Sequence, residues 1–376
     1  MIAKFFDAPT QTNGVWNTLA GCHSFDTNRI VDYTYTKRWC RVGEFEMTLP
    51  FNSELLLMLA VNGFICFDDG GAKDWLWIQD IDYSDGASIR LAGKDCKGLL
   101  DTRIALPDSA IVQGYDAVEG TTAHCLRHYL NNNCIGQTGN DAVRNLPLSW
   151  AGGSAGSTND SYMARFEYLS TIFTELCDGA GLGYDIRGDL NSAAGTVPFT
   201  VHTFSGSNRT IGQNARARVI FSLYRRNVTT LSFSHGVSDL YNAVYATGSD
   251  NVTLVTNRDV SAAEGVARRE CNVTVSVPTS DSWYGKYAID QVRDNTETHS
   301  YTFETAASGY DSDYYLGDFV TVLDDYTGSY YNDRITEITK RYSANESRIT
   351  IKLGTSKQKP LNKLINSFIS GTARKK

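Results

Sequence analysis

The chain has 376 residues, which is enough for two to three domains, and its hydrophobic fraction of 41% is ordinary for a folded protein. Its formal net charge of −7 argues against a broad electrostatic grip on nucleic acid or anionic lipid, although an acidic wall would let DNA slide past. The 21 Tyr and 32 Gly residues, with only 7 Pro, favour a β-rich architecture.

The amino-terminal segment does not have the features of an export signal. Residues 1–9 contain the basic Lys4 and two aromatic side chains, but no long apolar core and no small-residue cleavage site. No run of 18 apolar residues occurs anywhere, so no membrane-spanning helix is predicted. We therefore expect the protein to be made in a cytoplasm.

The clearest periodicity along the chain has period two, which is typical of strands with one buried face. It begins at Phe45, Met47 and Leu49 and ends at Pro50. The same alternation recurs at three later places, which are Ile89 and Leu91, then Val273, Val275 and Val277, and finally Ile349, Ile351 and Leu353.

Helical spacing is rarer. One short helix is predicted through Ala123, Leu126 and Leu130, with Thr121 or Thr122 as its cap. A second helix follows the spacing i, i+3, i+7, i+10, and Gly179 is placed to end it; its apolar residues are Phe166, Leu169, Phe173 and Leu176. A third apolar stripe follows Pro360 and consists of Leu361, Leu364, Ile365 and Phe368.

Composition shifts indicate the domain limits. Residues 151–159 and 191–196 are rich in Gly, Ser, Ala and Thr and are predicted loops. They bracket the predicted helix around Phe166, which suggests an α+β module between about 105 and 204, and the regions on either side of this module look all-β. The resulting division is a first β-barrel domain, a peripheral α+β domain, a second β-barrel domain with a peripheral insertion around 250–300, and a tail with a short helix; their limits are 1–104, 105–204, 205–354 and 355–376.

The two β-rich regions share a sequence pattern. In the first, Gly43-Glu44-Phe45 is followed by Ile78-Gln79-Asp80-Ile81 and then by the alternating strand 89–93. In the second, Gly317-Asp318-Phe319 is followed by Ile335-Thr336-Glu337-Ile338 and by 351–354. Any two β-meanders can resemble each other to this degree, but the order also fits a duplicated small barrel. Two barrels per chain would let a trimer present six near-equivalent units in a ring.

The eight cysteines are scattered without a C-x-x-C motif, which in a chain of this size favours free, buried thiols over disulfides. They are Cys22, Cys40, Cys66, Cys96, Cys125, Cys134, Cys177 and Cys271.

Two motifs suggest catalytic or metal chemistry, and neither is specific. Residues 152–156 match the G-x-S-x-G pattern of serine hydrolases but lie inside a Gly/Ser run with no predicted strand before them. His124, Cys125, His128 and Cys134 could be imagined as a zinc site. However, Cys125 stands where the Glu of H-E-x-x-H would be, so surface histidines and a buried thiol are favoured.

Three glycine-rich or acidic segments are also better explained without a ligand. The glycines of residues 179–183 follow a helix instead of a strand, which indicates a helix end and not a nucleotide loop. Asp68-Asp69-Gly70 and Asp311-Ser312-Asp313 could hold calcium but lack the EF-hand layout. The sequence thus predicts no catalytic, cofactor-binding or metal-binding residue, and no cofactor.

In order along the chain, several segments resemble the tail-associated hub proteins at the distal end of siphophage tails, which are related in fold to the baseplate hub of contractile phages and secretion spikes. The resemblance starts at RVGEFEMTLP and includes AGKD, FSGSNRT and YLGDFV. The matching residues are 41–50, 92–95, 99–104, 204–210, 221–222, 227–228, 245–248, 315–320 and 334–338.

The resemblance implies a virion protein of the tail tip, a homotrimer built as a pseudo-sixfold ring of six barrels under the distal tail protein. It also implies a structural, non-enzymatic role in genome ejection, as a gate that retains the tape measure protein and DNA. Receptor-binding or fibre proteins are further expected partners. Family members often carry a hydrolase beyond the second barrel, whereas this sequence ends at Lys376.

Two other functions stay open at this point. An adsorption protein could stack cell-wall carbohydrate on Trp75, Trp77 or Trp283, although aromatic residues in β-proteins are more often buried. A tail lysin should offer a metal or Cys/His constellation, and the sequence provides none. Dispersed carboxylates such as Asp178 and Asp185 could in principle serve a glycosidase.

Overall fold

A computed structural model describes most of the chain; the described residues are 2–12, 15–17, 19, 23–68, 73–84, 86–107, 114–189, 197–248, 252–256, 264–275, 284–292, 295, 297–306, 309–343 and 346–354. The chain divides into two units. The first comprises residues 1–231 and 302–351, and the second comprises 232–301 and 352–376. The predicted stripe at 361–368 and the tail lie outside the described residues.

The first unit opens with nine strands and one short helix: β1 (Ile2–Phe6), β2 (Gln11–Thr12), β3 (Val15–Trp16), β4 (His23–Asp26), β5 (Asp32–Arg38), β6 (Glu44–Pro50), α1 (Ser53–Met58), β7 (Phe64–Asp68), β8 (Lys73–Ser84) and β9 (Ser88–Asp95). An α+β module follows with β10 (Asp116–Gly120), α2 (Thr122–Asn133), β11 (Leu148–Gly153), β12 (Asp160–Ala164), α3 (Leu169–Ala180), β13 (Gly183–Gly188) and β14 (Phe199–Phe204).

The chain continues with β15 (Ile220–Phe221), β16 (Thr230–Gly236), β17 (Ala243–Thr247), β18 (Val252–Thr256), β19 (Glu270–Thr274), α4 (Tyr284–Asp290), β20 (Thr298–Ala306), β21 (Phe319–Asp324), β22 (Ser329–Ser343) and β23 (Glu346–Gly354). In the second unit, β17 lies between β18 and β19 in a three-stranded sheet, and α4 packs against β17 and β18.

The largest sheet has 13 strands, and its main path runs β16-β20-β23-β22-β5-β6-β9-β8-β7-β1-β4, with β21 beside β22 and β15 beside β21. The predicted mainly β, α+β fold is therefore confirmed. Strands from both predicted barrels lie in this one sheet. Within the described residues the path is open from β16 to β4, and no closed barrel is found.

The apolar side chains of the period-two alternation form the hydrophobic core of the first β-rich region, which we call the first repeat. Phe45, Met47 and Leu49 on β6 and Ile89 and Leu91 on β9 are all buried, as their spacing predicted. Each such side chain contributes about 1.5–3 kcal/mol by leaving water. The strand prediction at 349–353 is confirmed in the same way by the buried face of β23.

The helix around Phe166 differs from its prediction at both ends. Phe166 has a positive φ of 65° and precedes the helix, because residues 166–169 hydrogen-bond the extended segment 103–105. The helix α3 starts at Leu169 and passes through Gly179 to Ala180. Gly181, with φ 60°, is the residue that takes the left-handed conformation and ends it.

The predictions for the shorter helix, the first loop and the cysteines have different outcomes. Helix α2 is confirmed, and the Thr121 hydroxyl accepts a hydrogen bond from the His124 amide as its cap. The loop predicted at 151–159 is wrong at its start, because β11 extends to Gly153 against β14. Six of the cysteines are free and buried and Cys271 is half-buried, while Cys22 lies outside the described residues. No helix in the described ranges has the length and apolar character to cross a membrane.

The internal repeat is present in the topology. The orders β5-β6-β9-β8-β7 and β16-β20-β23-β22-β21 are the same, strand for strand. In each set a long strand, β8 or β22, pairs first with the strand before it and then with the strand after it. The predicted equivalence of Ile78 and Ile335 is confirmed. Each is the first residue of its long strand after the part that pairs with the preceding strand, which is β7 for β8 and β21 for β22.

The Gly-acid-Phe equivalence was wrong. Ile78 exchanges backbone hydrogen bonds with Asn62 and Gly63, and Ile335 exchanges the same pair with Gly317 and Asp318, all at 2.9 Å. Asn62 and Gly317 both have positive φ, 69° and 93°. The counterpart of Gly317-Asp318-Phe319 is thus 62–64 at the start of β7 and not 43–45, because a three-residue motif can precede any strand and does not specify its place in the sheet.

Candidate assembly site

The two repeats meet where β5 pairs antiparallel with β22, from Arg38 opposite Glu337 to Asp32 opposite Ser343. The Trp39 amide extends the ladder by donating to the Thr336 carbonyl at 2.9 Å. We call this ladder and the side chains around it the repeat joint. It brings together residues about 300 positions apart and makes one sheet of the two repeats.

Polar side chains align the two strands of the repeat joint. The Thr36 and Thr339 hydroxyls share a hydrogen bond of 3.0 Å. The Arg38 guanidinium donates to Glu337 at 2.9 Å and to Glu44 at 2.8 Å. Burial would lower the pKa of Arg38, but these two carboxylates raise it, so its positive charge is permanent and holds β5, β6 and β22 in register.

A buried group of charges lies beside this ladder. Asp74, on β8, accepts from the Lys37 ammonium on β5 at 3.1 Å and from the Lys340 ammonium on β22 at 2.8 Å. Burial alone would raise the pKa of the Asp74 carboxyl, but the two ammonium groups hold it well below its usual range. Asp74 therefore links strands of both repeats through one ionised carboxylate.

The α+β module contributes one carboxylate, Asp185, to this buried group of charges. Asp185, on β13, lies 3.4 Å from the Lys37 ammonium and 3.5 Å from the Arg187 guanidinium. Burial opposes ionisation here too, yet the cations lower the pKa of Asp185. Lys37 is thus shared by Asp74 and Asp185, and their charges raise its pKa well above the usual value despite burial.

A second buried ion pair, Lys97 with Asp95, lies beside the Arg38 end of the repeat joint. Lys97 is 1% exposed, donates to the Arg38 carbonyl at 2.5 Å and lies 3.4 Å from Asp95. Burial raises the pKa of Asp95, and the Lys97 ammonium opposes that rise. Gly43 is required beside it, because a Cβ there would lie 2.4 Å from the Thr36 carbonyl oxygen and 2.7 Å from the Asp95 carboxylate.

Aromatic and cationic side chains stack at the same end. The Arg334 guanidinium lies 4.6 Å from the Trp39 ring and 4.3 Å from the Phe319 ring. Gly317 lies under Trp39, and a Cβ at this position would approach the indole to 1.7 Å. Phe204 meets Trp39 edge to face with 4.8 Å between the centroids. Both repeats and the module therefore contact Trp39.

Asp318 binds the chain that enters the second repeat. Its buried carboxylate accepts from the Arg209 guanidinium at 2.7 Å, the Ser207 amide at 2.7 Å and the Tyr315 amide at 3.1 Å. Residues 204–210 and 315–320, which the sequence resemblance singled out separately, are therefore in direct contact. Their role in the structure is to anchor the entry of this segment.

The serine-hydrolase pattern does not form a nucleophile elbow. A strand, β11, does precede it, contrary to the sequence-based expectation. However, the chain continues into β12 where the elbow needs a helix, and the Ser154 hydroxyl shares a hydrogen bond with the Ser205 hydroxyl at 3.2 Å.

The histidines and cysteines between 124 and 134 have different surroundings. His124 is exposed, whereas His128 lies 2.6 Å from the Asp116 carboxylate. Burial raises the pKa of both Cys125 and Cys134 to about 12, so both stay thiols at neutral pH. Across the described ranges, no three His, Cys, Asp or Glu side chains are arranged to hold a metal.

The remaining candidates are the tryptophans considered for carbohydrate stacking and the two acidic loops. Trp75 and Trp77 are buried, and Trp283 lies outside the described residues. Asp311 lies 3.7 Å from the Lys340 ammonium, which gives its charge a protein partner. Asp69 and Gly70 lie outside the described residues.

Sequence reasoning missed the buried charges of the repeat joint, although a signal was present. On β5 the alternation Tyr33, Tyr35 continues to Lys37, so a lysine occupies the next position of the inward face. A charged residue in a core position requires a partner. The sequence could have indicated that requirement, but not that Asp74 and Asp185 satisfy it.

Comparisons with known proteins agree with this architecture. Residues 23–355 match the family model described as Siphovirus ReqiPepy6 Gp37-like protein. No curated protein matches the sequence. Among solved structures, the tail protein of Neisseria meningitidis MC58 is similar with a TM-score of 0.53 and 12% identity over 94% of this chain and 96% of that one.

Two further solved structures share the fold. The 43 kDa tail protein of prophage MuSo2 from Shewanella oneidensis has a TM-score of 0.52 and 10% identity, covering 93% of this chain and 95% of that one. Prophage tail protein gp18 from Listeria monocytogenes EGD-e has a TM-score of 0.50 and 13% identity, covering 96% of each chain. At these identities the similarity shows the fold alone.

Proposed function

The chain belongs to the Siphovirus ReqiPepy6 Gp37-like family of phage tail proteins, and on that premise we propose that it is the structural hub of a tail tip. In this role three copies form a ring that closes the distal end of the tail tube. The ring gates the passage of the tape measure protein and the DNA. The protein is made in the host cytoplasm and acts in the virion.

The observation that carries this proposal is the tandem repeat joined by β5 and β22. One chain supplies two topologically equivalent sheet segments, so three chains supply six. A ring of six matches a tube with sixfold symmetry while using only three subunits.

The proposed partners are the distal tail protein ring above the hub, the tape measure protein inside it, and receptor-binding or fibre proteins below. DNA passes without specific binding, in keeping with the net charge of −7. The role requires no catalytic residue. Neither Trp75 nor Trp77 is exposed for glycan stacking, and Asp185 has two cationic partners, so neither alternative function gains support from these residues.

The oligomeric mass of the purified chain tests the proposal. We expect native mass spectrometry to give three times the 41.5 kDa of the chain, alone or with the neighbouring tail protein added. Electron microscopy of that species should then show a ring with a central channel or a closed dome. A monodisperse monomer in both conditions would contradict the hub.

A further inference from the structure

A cavity of about 370 Å³ lies within the second unit, to which all of its lining residues belong. Small-molecule sites in proteins usually have volumes of about 300–1,000 Å³. One wall is formed by residues 271–274 of β19, which is an edge strand of the sheet β18-β17-β19 among the described strands. The other wall consists of residues 291, 292 and 295, which follow α4, together with Tyr241. The cavity is thus large enough for a small ligand.

Backbone hydrogen bonds fix the wall that follows α4. The Asn295 amide donates to the Val292 carbonyl at 2.8 Å, and the Asn295 carbonyl accepts from the Tyr241 amide at 3.1 Å. Val292 is 5% exposed, so this wall also has a packed apolar side. The cavity is therefore formed in the absence of a ligand, as small-molecule sites usually are.

Two asparagine side chains present oriented acceptors. The side-chain nitrogen of Asn272 donates to the Tyr245 carbonyl at 3.2 Å, and that of Asn295 donates to the Asp239 carbonyl at 3.0 Å. Because only the nitrogen of a side-chain amide can donate to a carbonyl, these bonds also fix the direction of each side-chain oxygen. Neither Oδ1 atom has a hydrogen-bond partner among the described residues.

Polar, apolar and thiol groups complete the lining. The side chains of Gln291 and Thr274 are exposed and have no hydrogen-bond partner within the described ranges. Val273 is buried next to Thr274 and adds apolar surface to that of Val292. Cys271 is half-buried. The cavity therefore combines uncommitted hydrogen-bonding groups with an apolar surface.

The lining also limits the chemistry of a ligand. None of the described lining residues is charged, so the cavity offers no counter-charge for a phosphate, a carboxylate or an ammonium group. The oriented oxygens of Asn272 and Asn295 require a ligand with several donors, and the valines require an apolar surface. A sugar ring has both, with hydroxyl groups around its rim and C–H groups on its faces.

We propose that this cavity binds a neutral sugar. The sugar hydroxyl groups donate to the Oδ1 atoms of Asn272 and Asn295, and one C–H face packs on the two valines. The Gln291 amide binds a further hydroxyl group. This inference goes beyond the hub proposal, because a carbohydrate site inside the second unit does not depend on how many copies assemble.

Cys271 reports the occupancy of the cavity in the full chain. It is half-buried, whereas the other described cysteines are buried, so iodoacetamide should reach it first. Galactose, glucose, rhamnose and N-acetylglucosamine are each titrated by calorimetry, and the labelling is then followed by peptide mass spectrometry. A sugar at about ten times its Kd should slow the labelling of Cys271 about tenfold, because only the unoccupied fraction reacts.

Two variants remove polar groups of the cavity that no other described residue uses. Gln291→Ala and Thr274→Val should each raise the Kd of the sugar at least about fivefold, the loss of one hydrogen bond. Thermal unfolding checks that both variants keep the fold. The matched control is Val266→Ala, since Val266 is in the same unit, is 98% exposed and does not line the cavity. Its Kd should stay unchanged.

Each outcome decides for or against the site. Binding that protects Cys271 and weakens in Gln291→Ala supports it. Binding that leaves Cys271 unprotected, or that both variants tolerate, places the sugar elsewhere and overturns the inference. Neither heat nor protection with any of these sugars overturns it as well. Protection by the uncharged peptide N-acetyl-trialanine amide alone would also overturn it, and would identify the edge of β19 as a peptide site.

Discussion

The apolar core of the first repeat and the repeat joint hold β-strands together by different means. Between β6 and β9 the inward residues are apolar, as in the layer of Met47 and Leu91. Beside β5 and β22 the buried residues include Asp74 with two lysines. Apolar contacts accept many neighbours, whereas a buried charge accepts only a partner of opposite sign at short range. The core therefore stabilises the repeat, and the charges select which strands meet.

The largest effect is expected from removing apolar volume in the core. Leu91→Ala should lower the free energy of unfolding by about 2–5 kcal/mol, because the side chain is fully buried and its loss leaves a cavity. Urea unfolding followed by intrinsic fluorescence measures this change. Leu57→Ala on α1 is the control, since Leu57 is 88% exposed and should shift the midpoint little. Equal shifts for the two variants would contradict the assignment of the core.

Neutralising the central carboxylate of the joint should have the next largest effect. Asp74→Asn keeps the volume but leaves Lys37 and Lys340 without their shared charge, and we expect a loss of about 1–3 kcal/mol in unfolding free energy. Asp82→Asn is the control on the same strand. Its carboxylate is largely exposed and pairs with Arg90, so it should contribute at most about 1 kcal/mol.

The same variant should change how stability depends on pH. The folded pKa of Asp74 is depressed, so its contribution is present above the unfolded value of about 3.9 and is lost as pH falls through the folded value. The wild-type chain should therefore lose stability steadily below about pH 4, and Asp74→Asn should lose less over that interval. Parallel acid-unfolding curves for the two proteins would show that Asp74 is not held ionised.

The smallest effect concerns the hydroxyl pair of the ladder. Thr339→Val leaves the Thr36 hydroxyl without its partner and should cost about 0.5–1.5 kcal/mol. Adding Thr36→Val should recover part of that loss, because both hydroxyls are then replaced by groups of similar shape. A double variant that loses the sum of the two single effects would mean that the hydroxyls act independently.

Local patterns predicted the strands better than the helix ends. The alternation at 45–49, 89–91 and 349–353 correctly identified buried faces, since period two depends only on neighbours along the chain. The α3 boundaries were wrong because residues 166–169 bond to the distant segment 103–105. For the same reason the Gly-acid-Phe motif was assigned to β6, while backbone pairing makes 62–64 the counterpart of 317–319.

The sequence by itself determined the inward faces of the strands, the cap of α2 and, through short segments in a fixed order, a resemblance to siphophage tail proteins, the family to which the match assigns the chain. Only the tertiary structure decided that β5 pairs with β22, that Lys37 meets Asp74 and Asp185, and that Asp318 binds Arg209. The physical reason is that alternation specifies which side of a strand is buried and leaves its neighbour undetermined. That neighbour is chosen by hydrogen bonds and charges from residues up to about 300 positions away.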